Sequence, residues 1–240
     1  MNKVWAVVPA AGTGSRMGTD VKKQFLRLND TPILIMTLQL LSSLEELQGI
    51  VLVTSPDDME VCRKLCQDYQ ISKVVRIVKG GDTRQASVLN GLRSLEEMDE
   101  TSADDIVMIH DAARPLALKE EIRATVEAAK VCGAALLAAP VKDTVKAAAE
   151  DGTVQTTPDR RLLFGAQTPQ TFRLGDIASA HHLAAEQGDL TCTDDSQIME
   201  KYGKCPVRIV LGSYENIKIT TPVDLIIAGK IVEDRNSHVR

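Results

Sequence analysis

The chain has 240 residues, a formal net charge of −5 and only 3% aromatic residues. That length can bury a substantial core, but an acidic chain poor in aromatics lacks both the electrostatic footprint and the stacking platforms of a general nucleic-acid binder. No apolar run is long enough to span a membrane, and nothing at the start reads as a secretory signal, so a cytoplasmic protein that engages neither membrane nor nucleic acid is expected.

In chain order, apolar runs and helical periods alternate. They predict a strand at 3–8, a helix at 32–43, a strand at 49–54, a helix at 57–69, a strand at 73–78 and a helix at 83–97. There follow a strand at 105–110, a helix at 119–131, a strand at 134–140, helices at 174–187 and 194–202, a strand at 207–211 and a helix at 222–234. Strands apolar on nearly every residue suit a sheet buried on both faces. The expected fold is therefore α/β: a doubly wound, mostly parallel Rossmann-like sheet with helices on both faces, as one domain over residues 1–240. Thr221-Pro222-Val223-Asp224 and Thr193-Asp194-Asp195-Ser196 carry the capping oxygens of helix starts. The five cysteines (Cys62, Cys66, Cys132, Cys192, Cys205) are scattered and odd in number, which reads as reduced structural thiols.

Residues 141–160 break the rhythm. Two β-compatible stretches flank Glu150-Asp151-Gly152, and Asp-Gly between such stretches signals a hairpin. The segment is too polar to bury itself in its own sheet. Either a mobile flap or an arm reaching a partner accounts for it, and the arm is preferred.

The loop after the first strand reads Pro9-Ala10-Ala11-Gly12-Thr13-Gly14-Ser15-Arg16-Met17-Gly18. It lacks the GxxxxGK[ST] of a P-loop, and a third dinucleotide-fingerprint glycine would fall at Met17. A loop of small residues still lets backbone amides approach an anion. Arg16, with Lys22 or Lys23, adds cations suited to a phosphate that gains charge during reaction.

Residues 6–25, AVVPAAGTGSRMGTDVKKQF, resemble the signature loop of nucleotidyltransferases that activate phosphorylated sugars and polyols. Further strings follow in order: Gly80-Gly81-Asp82-Thr83-Arg84 with Ser87, His110-Asp111-Ala112-Ala113-Arg114-Pro115, Ala139 to Thr144, Thr168-Pro169-Gln170, Thr193-Asp194 and Asn216 to Thr220. From about residue 4 to 230, the ordered set resembles the 2-C-methyl-D-erythritol 4-phosphate cytidylyltransferase family. The resemblance implies transfer of CMP from CTP to the polyol phosphate in the non-mevalonate isoprenoid pathway, with release of pyrophosphate and use of Mg²⁺. It implies that Pro9, Ala10, Ala11, Gly12, Gly81, Asp82 and Ser87 surround CTP, and that Arg16 and Lys23 stabilise the transition state. Asp111, Arg114, Thr144, Thr168 and Thr193 would surround the methylerythritol phosphate, with Arg160 and Lys218 on its attacking phosphate. Direct metal ligands stay unassigned: Asp111 is one candidate, with the ion carried mainly by the CTP phosphates. A homodimer with exchanged arms would give 141–160 its place. One departure is Lys22, which stands where the family usually has proline before the KQF lysine.

The chemistry suits these residues. A phosphate monoester is already a nucleophile at neutral pH, so the site must supply positioning and charge neutralisation rather than a general base. His110 reads as a packed strand residue, and the adjacent His181 and His182 face different ways and imply no metal site. Asp194 and Asp195 read as helix-start residues. The competing readings are a ribitol 5-phosphate cytidylyltransferase and a non-catalytic nucleotide-binding module. The strings at 112–115 and 140–144 favour the methylerythritol enzyme over the first, and the converging cations argue against the second.

Overall fold

A computed structural model describes residues 2–12 and 22–237; Arg16 lies outside the described residues. The chain runs β1 (Val4–Pro9), β2 (Arg27–Leu28), β3 (Thr31–Pro32), α1 (Ile33–Ser42), β4 (Leu47–Thr54), α2 (Met59–Asp68), β5 (Val74–Lys79), α3 (Arg84–Glu96), β6 (Ile106–Ile109), α4 (Lys119–Cys132) and β7 (Ala134–Pro140). It continues through β8 (Ala147–Ala148), β9 (Val154–Thr156), β10 (Phe164–Arg173), α5 (Leu174–Glu186), α6 (Asp195–Tyr202), β11 (Arg208–Leu211) and α7 (Pro222–Ser237).

Seven strands form the central sheet in the order β11-β7-β10-β6-β1-β4-β5. All neighbours pair in parallel except β10, which is antiparallel to both β6 and β7. Successive side chains of a strand point to opposite faces, and β1 shows it plainly. Val4, Ala6 and Val8 pack with α1, α2 and α4, whereas Trp5 and Val7 pack with α3, α5 and α6. This is the mostly parallel architecture expected, with one antiparallel strand inside it. The predicted helices all form, and those expected to carry caps do so: the Asp194 side chain accepts from the Gln197 amide at 2.8 Å, and Asp224 Oδ2 accepts from the Thr220 and Thr221 amides.

The seventh strand, β10, has no counterpart among the predicted elements. Its FGAQTPQTFR sequence contains a proline and four uncharged polar side chains and lacks the apolar run that marks the other central strands. Yet Thr168, Gln170 and Thr171 are buried in the middle of the sheet. Each finds partners: Gln170 binds Asp194 and the Ser196 amide, Thr171 meets the Thr125 hydroxyl, and Thr168 meets His110 and the Asp111 amide. Polarity here serves as glue between the sheet and the elements around it, which is why burial does not penalise it. The strands at the two edges, β5 and β11, are half exposed rather than buried on both faces.

The 141–160 segment is the excursion between β7 and β10, whose register pairs Pro140 with Phe164 at its root. It contains a two-stranded ribbon of β8 and β9, shorter than the sequence suggested. Gly152, at φ +83°, takes the left-handed turn position that the Asp-Gly pair announced. Most of the segment is solvent-exposed, and at its base Lys142 lies 3.7 Å over the Tyr214 ring.

Candidate functional site

The chain moves outward from β1 through β4 to β5, then returns to place β6 on the other side of β1. A doubly wound sheet opens a crevice beyond its strand ends at such a reversal. Here a cavity of about 360 Å³ is lined by Pro9, Ala10, Ala11 and Gly12 after β1, Lys23 and Gln24, Gly81 to Arg84 with Ser87, Asp111 to Ala113 after β6, and Lys218. Every described residue predicted for the nucleotide is in that lining, together with Lys23, Lys218 and Asp111.

Local interactions fix each wall. Fully buried Gln24 donates to the Ala10 carbonyl at 2.9 Å, tying the first loop to the 23–25 turn. The two adjacent lysines separate: Lys22 Nζ reaches Asp58 Oδ2 at 2.6 Å and Ser55 Oγ at 3.1 Å, whereas Lys23 lines the cavity. Thr83 caps α3, accepting from the Ala86 amide at 3.0 Å, and so aims a helix N-terminus at the cavity. Gly81 is required there, because a Cβ would stand 2.5 Å from that of Ala86. Ser87 is buried and holds this turn, with its hydroxyl accepting from the Gly81 amide and donating to the Thr83 carbonyl.

Lys218 is held by its neighbours in sequence. Asn216, fully buried, donates to the Thr168 carbonyl at 2.9 Å and to Gln167, both of β10. The Asn216 carbonyl receives Arg114 Nη1 at 2.7 Å, and the Ile219 amide bonds the Ala113 carbonyl. Lys23 comes near the start of α7: burial pushes the Asp224 carboxyl up, but hydrogen bonds from Thr221 and Thr220 and the Lys23 charge bring it below its ordinary value.

Asp111 is the electrostatic hub. Lys218 Nζ lies 2.8 Å from its Oδ2, Arg84 Nε 3.3 Å from its Oδ1, and Arg114 Nε 3.8 Å from Oδ2. Burial would raise this carboxyl's pKa; the Arg84, Lys218 and Arg114 charges outweigh burial and hold it well below the carboxylate range. Arg84 reaches further, donating from Nη2 to Asp195 Oδ2 at 2.8 Å. Asp195 is fully buried; burial pushes its pKa up, and Arg84 with His181 brings it below the ordinary value. Asp195 is thus more than a helix-start residue.

The other expected residues sit elsewhere. Arg114 is packed behind Asp111, and Thr168 supports the Asp111 amide from the strand behind; neither lines the cavity. Thr193 binds Gln197 ahead of α6, outside the lining. Thr144 and Arg160 are on the exposed arm, where Arg160 donates to the Lys142 carbonyl. His110 is fully buried, and His182 is half-buried beside Glu96. Sequence pattern does not mark Arg84 and Asp195 as site residues. Arg84 stood inside a quoted string, but its partners lie 27 and 111 positions away, which no local pattern shows.

Among the described residues no three metal-ligating side chains cluster. Asp111 already faces three cations, a setting that repels a divalent ion. Asp82 is the exposed carboxylate of the lining.

The family model described as IspD, 2-C-methyl-D-erythritol 4-phosphate cytidylyltransferase, matches residues 4–234. A protein of that name from Desulforamulus reducens is 47% identical over 98% of this chain and 98% of its own. Another from Pelotomaculum thermopropionicum is 45% identical over 100% of this chain and 98% of its own. The crystal structure of 4-diphosphocytidyl-2C-methyl-D-erythritol synthase from Anaerococcus prevotii superposes with a TM-score of 0.83, at 32% identity, over 97% of this chain and 96% of that one.

Proposed function

Because this chain belongs to the 2-C-methyl-D-erythritol 4-phosphate cytidylyltransferase family, we propose that the cavity at the β1/β6 strand ends is where its two substrates meet. The enzyme transfers CMP from CTP to 2-C-methyl-D-erythritol 4-phosphate, a step of the non-mevalonate isoprenoid pathway. The observation that carries the site reading is convergence. Lys23, Arg84 and Lys218 arrive at one cavity from three distant stretches, beside a glycine-bearing turn at a helix N-terminus.

In this reading the 9–12 loop, Gly81, Asp82 and Ser87 bound the nucleotide, and the α3 N-terminus faces its phosphates. Lys23 neutralises charge as the α-phosphorus is attacked, joined by Arg16. Asp111 takes hydroxyl groups of the polyol, and Lys218 moves from Asp111 to the incoming phosphate. No proton need be removed from that nucleophile, so these residues act by orienting and screening two anions that repel each other. Arg114 and Thr168 hold Asp111 in place. Thr193 stands at the periphery.

Mg²⁺ fits as an ion carried on the CTP phosphates rather than in a protein cage, with Asp82 the lining carboxylate open to it. When bound, it would supply neutralisation of phosphate charge. Thr144 and Arg160 are proposed to complete the pocket of a second copy in a homodimer. The exposed arm, with Val145, Val154 and Leu162 open to solvent, supports that arrangement. We place this chemistry in the cytoplasm.

The test is pyrophosphate release from CTP with 2-C-methyl-D-erythritol 4-phosphate or ribitol 5-phosphate, each with and without a chelator. Turnover with the first alone, abolished by the chelator, is expected. Turnover only with ribitol phosphate overturns the substrate, and chelator-insensitive turnover overturns the role of the ion.

A further inference from the structure

Arg84 stands between the cavity and the protein interior. Its Nε faces Asp111 Oδ1 at 3.3 Å and its Nη2 binds Asp195 Oδ2 at 2.8 Å. The other Asp195 oxygen meets His181 Nε2 at 3.2 Å, and both of those residues are fully buried. Asp195 is absent from the cavity lining and is not needed as a cap, because Asp194 already caps α6. An ion pair with one member fully buried is weak grounds for stability, since apolar replacements often do as well. What the pair does supply is orientation: one planar fork grips carboxylates from two separate elements. With Asp111 Oδ1 directed at Arg84, its Oδ2 is left facing the Lys218 ammonium at 2.8 Å, with Arg114 Nε further off at 3.8 Å.

We propose that Arg84, clamped from behind by Asp195, which His181 braces in turn, is a positioning residue that orients Asp111 and through it sets where Lys218 stands over the cavity. The inference rests on the reading of Asp111 and Lys218 as polyol-phosphate ligands given above. It deepens that reading by adding a line of residues from the core of α5 and α6 to the reacting anion. Asp195 and His181 touch neither substrate in this scheme; they act only through the guanidinium.

The experiment measures kcat and both KM values for R84Q, R84K, D195N, D111N and the R84Q/D111N double variant, with thermal unfolding alongside. R84Q and D195N are expected to raise the KM for methylerythritol phosphate by roughly 10–100-fold, with the KM for CTP held to within about two-fold. R84K is expected not to rescue, because an ammonium cannot span both carboxylates. In the D111N background, R84Q should add little, the mark of two residues acting as one unit. Multiplying losses in the double variant, a parallel rise in the CTP KM, or rescue by R84K would overturn the proposal. If R84Q does not fold, D195N and R84K carry the same comparison. An unchanged polyol-phosphate KM in D111N would instead sink the assignment of Asp111 and with it the basis of the inference, whereas a normal D111N defect with independent R84Q losses sinks the inference alone.

Discussion

Mild acid should weaken the strand end that carries the pocket. His110 is fully buried, with Nε2 donating to the Arg114 carbonyl at 2.9 Å and Nδ1 accepting from the Thr168 hydroxyl at 3.2 Å. Burial, reinforced by the Arg114 guanidinium, pushes its pKa from 6.5 down to about 4, against the opposing pull of the Arg114 carbonyl and the Asp111 charge. Above pH 6.5 the ring is neutral in folded and unfolded chains alike, and pH has no leverage through it. Between 6.5 and about 4 only the unfolded chain takes up the proton, so stability falls as pH falls. A drop from 6.5 to about 4, at about 1.4 kcal/mol per pH unit, amounts to about 3 kcal/mol lost by pH 4. Urea unfolding of the wild type and His110→Gln from pH 7.5 to 4.5 isolates this residue, since the other histidines are common to both. Glutamine keeps a donor toward Arg114 but has no proton to gain. The wild type should lose stability more steeply below pH 6.5; parallel curves refute the reasoning.

Three further outcomes are expected. Lys23→Ala should lower kcat by about 10²–10³ with the fold retained, as removal of a preorganised donor does, whereas Lys22→Ala, whose ammonium is engaged by Asp58 and Ser55, should turn over near the wild-type rate. Mixing inactive Arg160→Ala and Lys218→Ala proteins after subunit exchange should restore activity, because one site of each hybrid combines an intact arm with an intact pocket; a mixture that stays inactive excludes arm exchange. Gly81→Ala should cost about 1–3 kcal/mol in unfolding experiments and raise the KM for CTP, because the added methyl meets Ala86 at 2.5 Å; an unchanged melting temperature and KM would show that the turn can yield.

Much of the site was legible through the ordered strings of the resemblance. Gly81 and Ser87 are assigned to the nucleotide in that way, and the structure places both in the cavity wall. The two lysines at 22 and 23 are indistinguishable by type; the KQF resemblance picks Lys23, and across the fold Asp58 and Ser55 engage Lys22. Arg84 drew no assignment of its own, because an arginine reveals its role through its partners. Its partners Asp111 and Asp195 come from different elements.

Local pattern is enough for the alternation of strands and helices, the caps of two helices and the buried character of β1, β4, β6 and β7, because these depend on residues within a turn or strand of one another; the family is read from strings spread along the whole chain. Long-range contacts alone place the polar 164–173 segment in the sheet between β6 and β7 and gather Arg84, Arg114 and Lys218 around Asp111. A buried polar side chain is favourable or ruinous according to what faces it, and what faces it is settled by contacts between residues far apart in the chain.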